Sequence, residues 1–176
     1  MTTTIRILQP SDDRGGFESG DIDLDRFFIK YAGQNQFKHH IGTSYVALDD
    51  ATGRVLGYVT VSAASIEIDE LTAALRKSLP TYPMPVLRLA RLAVDRDAQG
   101  QGVGRALLRF VLDLSLRMAE GFGCVGVVVD AKPSATAFYK AYGFAPLEVV
   151  EGASPARPQP VAMFLSLGEI RVAMQR

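Results

Sequence analysis

The sequence predicts an α/β fold, in which strands alternate with amphipathic helices around one sheet, and three stretches carry that prediction. Val86 to Val94 is an apolar, β-prone run that passes through a glycine-rich turn directly into a helical period from Gly102 to about Glu120. In that period Val103, Leu107, Phe110, Val111, Leu114 and Met118 form one stripe, and Arg109, Asp113 and Arg117 recur four apart on another. Cys124 to Val129 is almost wholly apolar, the pattern of a central strand covered on both faces. The chain has 176 residues, 48% of them hydrophobic, which suits a single domain over 1–176 with a sizeable core.

The elements follow in order. Thr4 to Gln9 is a short strand ended by Pro10, and a polar segment follows to Gly20. Asp21 or Asp23 caps a helix whose apolar positions Leu24, Phe27, Phe28, Tyr31 and Ala32 recur at helical spacing to about Asn35. Ser44 to Leu48, a turn over Asp49 to Gly53, and Val55 to Ser62 read as a hairpin. A short helix is expected from Asp69 to Leu79, and Pro80, Pro83 and Pro85 then force an extended approach to the next strand. After the central strand, Pro133 opens a helix from Ser134 to Tyr142, which Gly143 closes in the left-handed position. Phe144 to Val150 starts a strand, a Pro/Ala/Gly-rich loop runs from Gly152 to Pro160, and Val161 to Ser166 is a last strand that pairs with its predecessor before a short amphipathic tail.

Composition removes several classes of function. Lys plus Arg and Asp plus Glu number 19 each, so no global charge advertises a polyanionic partner and any nucleic-acid surface must be local. Acids cluster early (Asp12, Asp13, Glu18, Asp21, Asp23, Asp25) and bases later (Arg76, Lys77, Arg88, Arg91, Arg105, Arg109, Lys140), an asymmetry that permits such a patch. The single cysteine, Cys124, sits in an apolar run and reads as a small buried hydrophobe, which leaves neither a disulfide nor a cysteine metal site. No metal site is expected. His39 and His40 have no partner at ligand spacing and read as solvated loop residues. No signal segment or spanning run is evident, so no membrane role and a cytoplasmic location are expected.

The turn after the strand at 86–94 is the first candidate site. A strand, free backbone N–H groups and a helix N-terminus converge there, which is how proteins hold phosphate. Gly100, Gly102 and Gly104 permit positive φ and close approach of a ligand. No Gly-Lys-Ser/Thr follows, and the spacing is not Gly-x-Gly-x-x-Gly, so neither a P-loop nor a dinucleotide fold is present. The strand's alternation slips: Leu87 and Leu89 share one parity while Leu92 and Val94 have the other, and Arg88 and Arg91 disagree likewise. A bulge near Ala90 would place the leucines and Val94 in the core and both arginines on the other side. The plainer reading, two arginines snorkelling from an edge strand, stays open.

Gln99-x-x-Gly102-x-Gly104 at a strand-to-helix junction resembles the acyl-CoA pyrophosphate loop of the GCN5-related N-acetyltransferases (GNAT), and the resemblance covers nearly the whole chain. It implies a mixed central β-sheet with splayed fourth and fifth strands flanked by helices. It implies acetyl-CoA as cofactor, released as CoA, held by backbone groups of Leu92, Ala93 and Val94 and by the turn Gln99, Gly100, Gln101, Gly102, Val103, Gly104 and Arg105, with Asp130 and Phe138 also in contact. Phe138 to Phe144 is similar to the GNAT segment in which a tyrosine protonates the departing thiolate, and Tyr139 is the matching residue, with Tyr142 as second choice. A phenol near pKa ~10 and a thiol near ~8.5 are close to balanced for that transfer. Packing, with the hydroxyl meeting water, is the plainer role for Tyr139.

Many relatives carry a glutamate base on the fourth strand, where this sequence offers Arg88 and Arg91. An α-amino group, with pKa near ~7.7–8.0, is partly neutral without a base, unlike a lysine near ~10.4. A low-pKa amine on a phosphate-rich carrier, such as an aminoacyl-RNA, fits both the missing base and the arginines. Phe17 to Phe28, Ala32, Gln34, Asn35, Pro85 to Asp95 and Met163 to Leu167 are similar to the GNAT toxins of bacterial toxin–antitoxin modules. That resemblance implies acetylation of the α-amino group of aminoacyl-tRNA, arrest of translation, neutralisation by a ribbon-helix-helix antitoxin that carries the pair to operator DNA, and a homodimer. Arg88, Arg91 and Lys140 are the expected tRNA contacts. The sequence departs from the family in Ser19, where cysteine is common, and in the longer loop before the last strand. Two rival functions are an acetyltransferase of a small-molecule or protein amine, and a non-catalytic module that binds CoA and a protein.

Overall fold

The computed structural model describes residues 2–67, 77, 83–147 and 160–176. Among the described residues there are seven strands: β1 (Thr3–Ile7), β2 (Thr43–Asp49), β3 (Val55–Ile66), β4 (Met84–Val94), β5 (Gly126–Ala131), β6 (Ala145–Pro146) and β7 (Val161–Ser166). The helices are α1 (Ile22–Arg26), α2 (Val103–Gly121), α3 (Thr136–Lys140) and α4 (Leu167–Met174). The expected helix at 69–79 and the loop from Gly152 lie outside the described residues, as does the end of the strand expected over Phe144 to Val150.

The chain divides into two compact units, one built from Met1–Ser62 with Leu89–Val111, the other from Ala63–Arg88 with Leu112–Arg176. In the first, the strand order is β1-β2-β3-β4, with β1, β2 and β3 antiparallel. Its core is aromatic. Phe28 is fully buried and stacks on Tyr58 with centroids 4.3 Å apart, and Phe17 meets Phe28 edge-on at 4.9 Å. The Tyr58 hydroxyl donates to the Leu24 carbonyl at 2.7 Å, so the one polar atom of this cluster is satisfied. Ala93 of β4 belongs to the same cluster.

In the second unit the order continues β4-β5-β7-β6, with β4 and β5 parallel and β5, β7 and β6 antiparallel. The Val125 N–H donates to the Pro85 carbonyl at 2.9 Å along the parallel pair. Val127, Val128 and Val129 are buried, which bears out the doubly covered strand, although the strand begins two residues later than expected and continues past Asp130 to Ala131. The expected pairing of the last two strands holds, with Ala145 opposite Phe164. Ser166 opens α4 with a capping box, its hydroxyl accepting from the Glu169 N–H.

Two expectations need correction. The first helix is not one regular period: Asp21 caps α1, but Phe27–Tyr31 and Gln34–His39 are wound as π-helical turns, and His40 closes them at φ 54°. The wider winding rotates the stripe, so Phe27, Phe28 and Ala32 are buried while Tyr31 is left 46% exposed. On β4, Ala93 is buried where Leu92 and Val94 were expected in the core, and Arg91 lies against the core's edge instead of on the far side. The reason is the aromatic cluster, which offers the guanidinium a ring face: Arg91 Cζ sits 3.7 Å above the centroid of Phe27.

Replacing Phe28 by alanine removes the stacked ring at the centre of this cluster. The expected cost is about 3–5 kcal/mol of unfolding free energy, read from urea denaturation; a loss under ~1 kcal/mol would mean that the aromatic stack is not what holds the first unit together.

Candidate functional site

The phosphate-type turn is built within the first unit. β4 ends at Val94, and Asp95 caps a single 3-10 turn, Arg96–Ala98, by accepting from the Asp97 N–H at 3.0 Å. Gly100 and Gly102 then adopt φ +77° and +86°, and α2 opens with the Ala106 N–H donating to the Gly102 carbonyl. The amides of Val103, Gly104 and Arg105 precede that first helical bond and have no partner further back in the helix. A Cβ at either Gly100 or Gly102 would meet nothing within 4 Å. Their requirement for glycine is therefore conformational, and the space in front of the turn is open. Gly104 has no positive φ; it belongs to the first turn of α2, so only two of the three glycines serve the turn itself.

Side chains brace this turn from behind. Gln99 Nε2 donates to the carbonyls of Ser19 at 2.7 Å and Val94 at 3.0 Å, and Gln101 Nε2 donates to the Asp97 carbonyl at 3.1 Å. Both amides are thus spent on carbonyls, and Gln99 acts as a strap across the base of the loop. The deepest support is one that sequence reading missed. Asp95 is only 3% exposed and accepts from Arg54 Nη2 at 2.8 Å, from the Glu18 N–H at 3.1 Å and from Asp97. Arg54 also reaches Asp97 at 3.0 Å, and Arg96 pairs with Glu18 at 3.2 Å. An aspartate directly after a strand and before a turn is a local capping signal; its pairing with Arg54, 41 residues earlier, leaves none.

The expected tRNA contacts Arg88, Arg91 and Lys140, and Arg105 expected at the cofactor, fall in different settings. Arg91 is half-buried on Phe27, and Arg105 is exposed on the first turn of α2. In the second unit Arg88 forms an ion pair with Asp130, so a phosphate drawn to Arg88 must compete with a carboxylate that was expected at the cofactor. Lys140 is exposed at the mouth of a cleft of about 350 Å³ shared with Tyr142, Glu169 and Arg176. His39 and His40 are exposed, in keeping with solvated positions.

Tyr139 also lies in the second unit, on α3, 5% exposed. Its ring meets Phe138 at 5.1 Å and Phe144 at 5.5 Å, both edge-on. Its backbone carbonyl accepts from Tyr142 at 3.0 Å and from Phe144 at 3.3 Å, and Gly143 at φ +97° makes that reversal possible. Phe138 stays half-buried beside Tyr142. Burial in this apolar wall raises the Tyr139 phenol above its ordinary value of 10.0. The phenol is already a slightly weaker acid than a thiol on reference values, and burial widens that gap.

The family model described as an acetyltransferase (GNAT) domain matches residues 40–146. A tRNA-acetylating toxin of Mycobacterium tuberculosis is 34% identical over 140 residues, which is 79% of this chain and 82% of that protein. Among solved structures, AtaT complexed with acetyl-methionyl-tRNAfMet superposes with a TM-score of 0.83 at 29% identity, covering 97% of this chain and 98% of that one. A tyrosine-to-phenylalanine mutant of AtaT bound to the C-terminus of the antitoxin AtaR and acetyl-CoA superposes with a TM-score of 0.77 at 27% identity over 100% of both chains.

The two buried phenols, Tyr58 and Tyr139, both raised by burial, give a pH signature. Below pH ~10 folded and unfolded chains bind these protons alike; above it the unfolded chain, with ordinary phenols, releases them first, so stability falls as pH rises. In an ultraviolet titration the phenolate signal of these two should appear only together with loss of far-ultraviolet circular dichroism. Early titration of all tyrosines, with the fold intact, would contradict the burial of Tyr139.

Proposed function

The chain belongs to the GNAT acetyltransferase family, and from that premise we propose that it is a toxin-type enzyme that transfers the acetyl group of acetyl-CoA to the α-amino group of aminoacyl-tRNA and so blocks translation. The observation that carries this reading is the relationship to a tRNA-acetylating toxin over most of both chains. The site chemistry points the same way. β4 offers arginines where a glutamate base would serve a lysine-type amine, and an aminoacyl ester brings an amine that is already partly neutral.

Each residue then has a task. The open turn over Gln99 to Arg105 presents backbone N–H groups and the positive end of a 19-residue helix to the pyrophosphate, with Arg105 adding charge. Backbone groups of Leu92, Ala93 and Val94, on the strand that leads into that turn, take the pantetheine arm, and Asp130 and Phe138 complete the cofactor contacts. Bound acetyl-CoA supplies the thioester carbonyl and a thiolate leaving group. The amine nitrogen forms the new N–C bond as the C–S bond breaks, and the proton that nitrogen loses is the one the sulfur gains. Tyr139 serves this exchange as a neutral hydrogen-bond donor to the sulfur. Outright proton donation from a phenol at ~10 or above to a thiolate near ~8.5 would be uphill by about 2 kcal/mol or more.

Arg88, Arg91 and Lys140 receive the tRNA acceptor end. A ribbon-helix-helix antitoxin neutralises the enzyme and carries it to operator DNA. The chain works in the cytoplasm as a homodimer of single-domain protomers over 1–176; among the described residues no helix is long and apolar enough to cross a membrane.

Transfer of labelled acetyl from acetyl-CoA to bulk charged tRNA, with deacylated tRNA as control, tests the substrate. Label is expected only on charged tRNA. Tyr139→Phe should lower kcat roughly 10²-fold while leaving acetyl-CoA binding and the circular dichroism spectrum in place. Transfer to a free amine and not to charged tRNA would overturn the tRNA reading and leave the family assignment standing.

A further inference from the structure

A cavity lies in the first unit, apart from the cofactor turn, and of its lining residues only Arg91 has a role above. Its volume is about 260 Å³, below the ~300–1,000 Å³ of pockets that enclose drug-sized ligands, which is room for a fragment such as one side chain. One wall is the π-helical segment, through Phe27, Ala32 and Asn35, and the opposite side is β4, through Ala90 and Arg91. Such windings cost regular helical bonds and recur at functional sites. Ala90 and Arg91 directly precede Leu92 to Val94 on the same strand, so at ~3.3 Å per residue the cavity lies within about 10 Å of the backbone groups assigned to the cofactor.

The lining chemistry is specific. Ser44 and Thr60 are directly opposed on β2 and β3, with hydroxyls 2.7 Å apart, and both are buried. Two hydroxyls bring two O–H donors to one mutual bond, so one O–H and several lone pairs remain for a guest. Gln36 fixes this floor: its Oε1 accepts from the Ser44 N–H at 2.8 Å, and its Nε2 donates to the Leu8 carbonyl at 3.2 Å. Asn35 is half-buried, and among the described residues its side-chain amide makes no hydrogen bond. No acidic residue lines the cavity, while the Arg91 guanidinium is pinned in its wall by the Phe27 ring.

We propose that this cavity receives the side chain of the acceptor amino acid, and that it selects short, uncharged, hydrogen-bonding side chains and rejects cationic ones. The inference rests on the aminoacyl-tRNA reading. Polar groups already placed by Gln36 and the strand pairing reward a side-chain hydroxyl or amide and are left unpaired by an apolar isostere. A lysine or arginine side chain would enter beside Arg91 with no carboxylate to offset it, a repulsive element against the wrong guest.

One tRNA transcript charged in separate preparations with threonine, valine or lysine isolates the side chain from the tRNA body. The kcat/KM for acetylation should favour threonine over valine by at least about 10-fold. Lysine should fall below threonine by roughly 10- to 50-fold, the size of a like-charge repulsion at side-chain distances under an effective dielectric of ~20. Asn35→Ala combined with Thr60→Val should bring the threonine-to-valine ratio toward one, and Arg91→Gln should raise lysine relative to threonine even if it slows both. The wild-type ranking alone decides if a variant fails to fold. Equal use of the three, or preference for valine or lysine, overturns the pocket assignment and leaves the tRNA reading intact; acceptance of none of them while free amines are acetylated removes both.

Discussion

The buried carboxylate of Asp95 is the interaction on which the first unit's functional geometry depends. It stands where β4 ends and the open turn begins, and it holds three separate pieces of chain: the Asp97 amide within the turn, the Glu18 amide in the loop before α1, and the guanidinium of Arg54 from the β2–β3 hairpin. An unpaired charge at 3% exposure would be costly, so each of these partners is required by the burial of the others. The Gln99 strap and the Arg96–Glu18 pair run over the same short span. A turn with two positive-φ glycines and open space in front has little packing of its own, and its shape is imposed from behind by these bonds.

The same unit fixes the position of Arg91. Arg91 could have been an exposed strand arginine; the aromatic cluster of Phe17, Phe27, Phe28 and Tyr58 holds it by its planar face. A guanidinium fixed this way keeps its full charge at a defined place, unlike Arg88, which shares its charge with Asp130. The two arginines that look equivalent in sequence are therefore different tools. One lines a small pocket; the other is held in an ion pair with Asp130.

Tyr139 shows how burial changes a chemical role without moving a residue. A phenol and a thiol are nearly matched in water, which makes a tyrosine look like a ready proton donor. Enclosed by Phe138 and Phe144, the phenol holds its proton more tightly, which suits the role proposed for it, a hydrogen-bond donor to developing negative charge. Such a donor needs no reorganisation at the moment of reaction and has no tendency to be lost as phenolate at neutral pH.

Most of the architecture was legible in sequence because it rests on local signals: the apolar run of β5, the stripe of α2, Gly143 at φ +97° and Gly102 before a helix all act within a few residues. The open turn was legible for the same reason, since glycine spacing and helix context are contiguous. What sequence periodicity misjudged was the first helix, whose π-helical winding follows from packing Phe27 and Phe28 against Tyr58, and the faces of β4, where a cation–π contact outranked the alternation of leucines. By itself the sequence determined the class of fold and the glycine turn at the strand-to-helix junction, because both are encoded by neighbours along the chain; Tyr139 as candidate acid came from the family resemblance. Only the tertiary structure decided that Asp95 anchors the turn through Arg54, that Arg88 is paired and Arg91 is stacked, that Tyr139 is a weakened acid, and that a polar pocket lies behind Phe27. Those properties depend on contacts between residues tens of positions apart and on exclusion of water, neither of which is written in local spacing.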